Sequence, residues 1–369
     1  MITADIVILG KGIAGLTLAT LLKRAKINCV IIDRFEDRKQ FAYGETLPPS
    51  AMPLLNKLNL LNLFEENSYR KTYGYHSCWG SNRVTDINFY HHNPYKNGLK
   101  IDKQQILRAL EDVSQPMVVS YQKSFEVFFE NEAISKITLD KEIEIQGKIF
   151  IDATGRNRAL LKKLDVESIS YDSLLSFSCH IPKLKHPKLV HEVYVESFEN
   201  GWGIVSALNE TENVFSIFTT KESGIQKSLK QYKYWSSALS STQYLKDFLT
   251  PEEDIKVMGG NANSSKGSRI AGNNWLALGD AAIAFDPLSS HGITNAMYTA
   301  MLASETIAEN LKGKNLLNQY DETLNLIFNQ YLQSKNQLYL SETRWKEAPF
   351  WKPFFEKEVS FFTQQEEHV

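Results

Sequence analysis

Two glycine-rich stretches bracket the chemistry this chain could carry. Near the N-terminus, Gly10-Lys11-Gly12-Ile13-Ala14-Gly15 separates an apolar run at 5–9 from a helical pattern at 16–25. A second apolar run, 29–32, ends at Asp33. The order is strand, Gly-x-Gly-x-x-Gly, helix, strand, acid, and each part has a physical reason. Gly10 permits a tight turn, Gly12 lets backbone touch a pyrophosphate at the helix N-terminus, and Gly15 lets helix and strand pack closely. Asp33 can hydrogen-bond a ribose hydroxyl. Ile13 and Ala14 in the loop and Arg34 beside the acid complete this set of candidate cofactor contacts. The motif does not choose between NAD and FAD. Downstream, the apolar run 275–278 is followed by Gly279-Asp280-Ala281-Ala282, then Asp286-Pro287-Leu288-Ser289-Ser290-His291-Gly292-Ile293, then a helical pattern. A chain leaving a buried strand through so many small and polar residues is one whose backbone must approach something closely.

Two more motifs lie between these. Gly44-Glu45-Thr46-Leu47-Pro48-Pro49-Ser50 opens a helical stretch at 51–61, with proline in its first turn. Ile149-Phe150-Ile151-Asp152-Ala153-Thr154-Gly155-Arg156 reads as a strand ending in a glycine turn. Alternating runs near 123–130, 133–139 and 142–151 predict a β-meander leading into it. Among titratable residues, Glu45, His76 and His291 are the candidates for acid–base work. Glu45 at a helix start is also explained by the helix dipole alone. His76 in a strand is more often a satisfied structural histidine, and His291 is equally explained as loop polarity. His91 and His92 would point to opposite faces of a strand and receive no role.

The composition excludes several classes. The chain has 369 residues with 43% apolar content, enough for two domains or one with a large insertion. Its net charge is -2 and its cations do not cluster, which argues against nucleic acid. No run approaches the ~20 apolar residues of a membrane span, and the N-terminus lacks a signal-peptide layout. Cys29, Cys78 and Cys179 give neither a disulfide framework nor a metal-ligand spacing, so no metal is expected, and they fit a cytoplasmic location.

The order of the four motifs resembles the flavin-dependent monooxygenase and halogenase superfamily, with its para-hydroxybenzoate hydroxylase-like fold. The resemblance is strong over roughly residues 1–160 and 256–310. It implies FAD, with Asp280 on the ribityl chain, the loop from Pro287 to Gly292 beside the isoalloxazine ring, and the next helix aimed at the flavin N1–O2 edge. Asp152, Thr154, Gly155, Gly279, Gly292 and Ile293 join the candidate FAD contacts. Backbone N–H groups of Gly292, Ile293 and Thr294 would face an anionic reduced flavin. Only one glycine fingerprint is present. Electrons therefore come from NAD(P)H in a groove without a motif, from a separate reductase or from another donor.

Halogenases of this superfamily carry Trp-x-Trp-x-Ile-Pro and a lysine in the strand after the Gly-Glu helix. Here the first stretch reads Asn200-Gly201-Trp202-Gly203-Ile204-Val205, Lys71 falls early, and Tyr75 takes the aligned position. The details are more similar to the LodB-like flavoproteins, including the GoxB type. Gly44 to Ser50, Asp152 to Arg156 and Asp286 to Ile293 match their segments. A hairpin expected at 203–208 and 214–220 resembles their Gly-Trp-Trp-Tyr hairpin, with Gly203 replacing the second Trp. That resemblance implies an FAD monooxygenase that uses O2 to hydroxylate a Trp side chain in a precursor protein, such as an amino-acid oxidase subunit, during tryptophylquinone (cysteine tryptophylquinone) biogenesis. Protein groups would position the indole and exclude water, with Glu45 orienting the indole N–H or relaying a proton. The rivals are a hydroxylase of a free aromatic molecule, a flavin-dependent halogenase and a flavin-containing assembly chaperone.

The expected fold is α/β: a Rossmann-like FAD-binding domain of the class A flavin monooxygenase type, an inserted β-sheet substrate domain and a C-terminal helical segment. The FAD-binding part is expected at 1–70, 96–164 and 256–320, the substrate part at 71–95 and 165–255, and the C-terminal segment at 321–369. Tyr73, Tyr75, Trp79, Trp202 and Phe218 are candidates for an aromatic pocket, although sheet core explains most of them as well. The aromatic segment 344–355, with Phe361 and Phe362, reads either as a docking surface or cap, or as a C-terminal helix packed on the FAD-binding domain.

Overall fold

Ile6, Val7, Ile8 and Leu9 are buried on both faces and form an inner strand, Ile6–Leu9, of a six-stranded sheet. Continuous apolar strands of this kind require layers on both sides. The computed structural model describes residues 1–35, 41–91, 94–182, 192–251 and 254–356. The sheet runs in the order Ala271–Gly272, Trp275–Ala277, Ile149–Asp152, Ile6–Leu9, Cys29–Arg34, Met117–Tyr121. All its pairs are parallel except the terminal hairpin of Ala271–Gly272 with Trp275–Ala277. From Ile6–Leu9 the chain first builds toward Met117–Tyr121, then returns to build the other way from Ile149–Asp152. The strand order therefore reverses between Leu9 and Asp152, and a crevice at such a reversal is where open α/β sheets bind ligands.

A seven-stranded sheet stands apart from this one. Its order is Met258–Asn261, Leu175–Pro182, Glu212–Thr219, Gly201–Ala207, Glu192–Phe198, Gly74–Cys78, Thr85–Asn88. One face is covered by the helix Tyr232–Leu239 and its flanking turns, with Trp235, Leu239 and Leu245 buried against Phe177, Val205 and Phe215. The other face looks toward the six-stranded unit. Gly44 lies against Val214, and Lys100 donates to Ser206 Oγ at 2.8 Å. Met258–Asn261 lies beyond residue 255, in the stretch assigned from sequence to the FAD-binding part.

Several local expectations change in detail. The run 142–151 divides into Ile143–Gln146, which completes the meander, and Ile149–Asp152, which enters the main sheet. The stretch 51–61 breaks into a 3-10 turn, Pro49–Ala51, and a helix, Met52–Lys57, because Asn59 takes a left-handed φ of 53°. His91 ends a 3-10 turn, Phe89–His91, so no strand alternation applies to it, and His92 lies outside the described residues. The hairpin starts at Gly201 as expected, with its strands at Gly201–Ala207 and Glu212–Thr219 rather than 203–208 and 214–220.

The helix Leu317–Leu340 is followed by turns over 341–351 and a helical stretch at 352–356. Phe350 and Trp351 are buried with Trp202, Phe218 and Tyr339 on the seven-stranded sheet. Trp351 Nε1 donates to Phe198 O at 2.9 Å, and Trp79 Nε1 donates to Leu338 O at 2.9 Å. The segment thus packs on the second sheet and the helix Leu317–Leu340, with Leu288 of the Asp-Pro loop against the same cluster, and Trp351 offers no docking surface. Phe361 and Phe362 lie outside the described residues. Among the described residues, no helix is long and apolar enough to cross a membrane. Truncating the fully buried Trp351 to alanine is expected to destabilise the fold by about 3–5 kcal/mol, read as a lower midpoint in urea unfolding.

Candidate active site

The crevice forms where three turns meet at the sheet reversal. Gly10 takes φ +108°, and a Cβ there would lie 2.5 Å from Ala153 O. A Cβ on Gly15 would lie 2.1 Å from Gly10 O. Only glycine allows the first helix, Ile13–Arg24, to start this close to the strand ends. Gly279, at φ +58°, brings the third turn against Ala14 and donates its N–H to Thr299 Oγ1 at 2.8 Å. Gly12, Gly155 and Gly292 are different: a Cβ on any of them would meet nothing within 4 Å. Their backbone borders open space. Asp33 is the next-to-last residue of the strand Cys29–Arg34, and its Oδ1 accepts from the Lys11 N–H at 3.1 Å, which ties the acid to the glycine loop. Arg34 beside it is exposed.

Asp152 and Thr154 serve the turn from within. Asp152 is fully buried and accepts from the N–H groups of Thr154, Leu160 and Leu161, each at 2.9 Å, and from Thr154 Oγ1 at 2.6 Å. Thr154 Oγ1 accepts from Ala159 N–H at 2.7 Å. Both side chains are spent on holding the turn, which leaves the backbone at Gly155, φ +63°, to face the crevice. Asp280 contrasts with them. Its side chain is 32% exposed and its ion pair with Arg156 Nε is long at 3.4 Å. Burial pushes its carboxyl up, against the pull of Arg156, Lys103 and Arg158. Lys103 also lies 3.7 Å from Glu45 Oε1, so Glu45, Lys103, Asp280 and Arg156 form one charged chain along the crevice.

The Asp-Pro loop continues that wall. Asp286 Oδ1 accepts from Leu288 N–H at 2.8 Å, Pro287 opens a 3-10 turn, Pro287–Ser289, and Ser290 takes a left-handed φ of 52°. His291 follows as an exposed residue at the head of the helix Gly292–Asn310. The protein packed round its ring pushes its pKa below the ordinary histidine value, only partly opposed by its hydrogen bond with Ser289. That direction favours the neutral imidazole. Gly292 and Ile293 begin the helix, so their N–H groups point outward, unbonded within it. Thr294 Oγ1 beside them is buried with no partner.

His76 does not join this cluster. It pairs with Asp86 and stacks on Tyr194 at 4.4 Å between ring centroids. Tyr194 belongs to the helix-covered core, so His76 faces away from the crevice. Strand alternation gives the inward position to Tyr75 instead. The Tyr75 hydroxyl is buried and faces Ser290, and burial pushes its pKa up to about 12. Alternation also settles Gly203: a Cβ there would lie 2.7 Å from Leu245 on the outer face, while Trp202 points inward. The missing second Trp thus changes the far side of the strand. Trp202 stacks on Phe218 at 3.9 Å, and Trp79 packs edge-on to both Trp202 and Tyr339, so these three are core. Tyr73 is exposed. Lys103, Arg156 and Arg158 are site neighbours that sequence reasoning missed. The available signal was Asp102, whose carboxylate caps the helix Lys103–Ser114 by accepting from the Gln104 and Gln105 N–H groups and so places Lys103 at its first turn.

These features suit a dinucleotide: open backbone at Gly12, Gly155 and Gly292, an orphaned hydroxyl at Thr294, and unbonded N–H groups at a helix start. The comparisons agree. The chain matches the FAD binding domain family over residues 3–335 and belongs to that family. It is 26% identical over 366 residues to LodB of Marinomonas mediterranea, an oxidoreductase assigned as FAD-dependent, covering 94% of this chain and 96% of that one. Its fold matches the peptidyl tryptophan dihydroxylase QhpG, essential for tryptophylquinone cofactor biogenesis, with a TM-score of 0.74 and 20% identity over 95% of this chain and 78% of that one. It also matches CmlS, a flavin-dependent halogenase, with a TM-score of 0.80 and 19% identity over 98% and 70% of the two chains. The protein is an FAD-dependent oxidoreductase, and its fold is the one shared by flavin-dependent monooxygenases and halogenases.

Gly12→Val should fold normally, since its side chain meets nothing, yet purify without the yellow flavin spectrum. Normal flavin content in that variant would remove Gly12 from the FAD site. Asp280→Ala should weaken FAD retention, measured by flavin release on dilution.

Proposed function

We propose that this protein is a monooxygenase that hydroxylates a tryptophan side chain in a partner polypeptide, as part of building a tryptophylquinone cofactor. The observation that carries the oxygenase half is Tyr75. A buried phenol, not an ammonium, occupies the inward position facing the Asp-Pro loop, and Lys71 is exposed on another strand. A halogenating site needs a cation there to hold a hypohalous species. The polypeptide half is supported by the near end-to-end likeness to LodB and by the fold shared with QhpG, which acts on a peptidyl tryptophan.

In this reading the backbone of Gly10 to Gly15, Gly155 and Gly292 would hold FAD in the crevice, with Asp33 serving the adenosine ribose and Asp280 the ribityl chain. Reduced FAD with O2 supplies an electrophilic oxygen, and the electron-rich indole is the nucleophile. The N–H groups of Gly292 and Ile293, at the positive end of a 19-residue helix, favour negative charge beside them. Glu45, whose Oε1 lies 3.7 Å from Lys103 Nζ, accepts the indole N–H. His291 borders the same space. The seven-stranded sheet excludes water from the far side.

The test is co-expression with the precursor polypeptide from the native host, followed by peptide mass spectrometry. Oxygen gained on one tryptophan, only when this protein is present, is the expected result. Turnover of free phenols or indoles with an unmodified precursor would establish the small-molecule hydroxylase instead. Bromide incorporation would establish a halogenase, and flavin that never turns over would leave a chaperone. Glu45→Gln should lower turnover about 10²-fold while FAD stays bound; unchanged turnover would take Glu45 out of the chemistry.

A further inference from the structure

One buried cation is used by none of this chemistry. Lys335 lies on the helix Leu317–Leu340 with its side chain only 6% exposed. Its ammonium pairs with Asp172, donates to Ser264 Oγ at 3.0 Å and lies 3.8 Å from Asp286 Oδ2. Asp286 is the first residue of the Asp-Pro loop and is itself 1% exposed. The same helix grips Asp286 twice more. Tyr339 donates its hydroxyl to Asp286 Oδ2 at 2.7 Å, and the Asp286 N–H donates to Tyr331 Oη at 2.6 Å. Tyr331, Lys335 and Tyr339 are spaced four apart, so they share one helix face. That face is turned to the back of the loop.

The charge balance is uneven. Two buried carboxylates, Asp172 and Asp286, share one ammonium. Asp172 holds the closer contact and is further satisfied by the Ser264 and Leu174 N–H groups, each at 3.1 Å. Asp286 depends on the longer one. Removing the cation would leave both carboxylates buried and unpaired, which is costly. Asp286 could then relieve its cost by moving toward water, and the loop would move with it.

We propose that Lys335 is a positioning residue for the flavin: acting through Asp286, it holds residues 286–291 and the first turn of the helix Gly292–Asn310 against the crevice. This rests on FAD occupying the crevice and is independent of the substrate. The test uses the FAD-loaded full chain. Lys335→Met should bind FAD about tenfold more weakly, measured by flavin fluorescence titration. Amide hydrogen exchange should rise across 288–295 while 6–9 stay protected. Lys335→Arg, which keeps the charge, should preserve both. The decisive variant is D172N/K335M, which removes a neutralised pair and is testable even if Lys335→Met alone does not fold. It should regain thermal stability but still show weak FAD and a rapidly exchanging loop. If it binds FAD like the wild type, Lys335 serves Asp172 alone and the proposal is overturned. A wild-type protein without FAD would instead refute occupancy of the crevice, a separate failure.

Discussion

At the reversal of the six-stranded sheet, two backbones approach more closely than a Cβ would allow. Gly10 meets Ala153, Gly15 meets Gly10, and the rest of the site is arranged around that approach. It sets the first helix at the strand ends, so the helix N-terminus opens on the crevice. It also sets the Asp152 turn, whose side chains point inward and whose backbone faces out. Gly279 adds the third turn by lying against Ala14. Steric exclusion, a short-range and steep constraint, thus defines the cavity, and electrostatics then decorates it through Asp280, Arg156, Lys103 and Glu45.

The second sheet divides its labour by face. Its outer face is an apolar core of its own, with Trp235 and Phe215 packed edge to face at 4.9 Å. Its inner face is mixed. It presents Tyr75 and serines such as Ser206, Ser178 and Ser216, the last two hydrogen-bonded to each other at 2.7 Å. A wall of this type can cover a flat ring and still offer polar contacts to a substrate. At one end the inner face turns fully aromatic, where Trp202, Phe218, Trp351 and Tyr339 close the gap to the last helix.

The backbone logic of the cofactor site was legible because glycine leaves a strong signature. Gly10, Gly12, Gly15, Gly155 and Gly279 all stand at turns or close approaches that the spacing implied. Side-chain direction was less legible. His76 and Tyr75 are neighbours on a strand of two-residue period, so the choice of inward residue depends on a register that sequence does not display. Asp152 was expected at the cofactor and is instead consumed by four hydrogen bonds, a count visible only once Leu160 and Leu161 are placed. The aromatic tail was misplaced because its partners, Trp79 and Phe198, are far away in sequence. Long-range charge pairs such as Lys335 with Asp172 carry no local pattern at all.

The helix Leu317–Leu340 carries a consequence for biogenesis. The glycine loop, the Asp152 turn and the Asp-Pro loop all precede it in the chain, and synthesis proceeds from the N-terminus. Tyr331, Lys335 and Tyr339, which fasten the Asp-Pro loop, leave the ribosome after every one of those elements. A nascent chain can therefore bring the glycine loop and the Asp152 turn together before the contacts that hold the Asp-Pro loop exist. Docking of this last helix is thus the event that fastens the Asp-Pro loop.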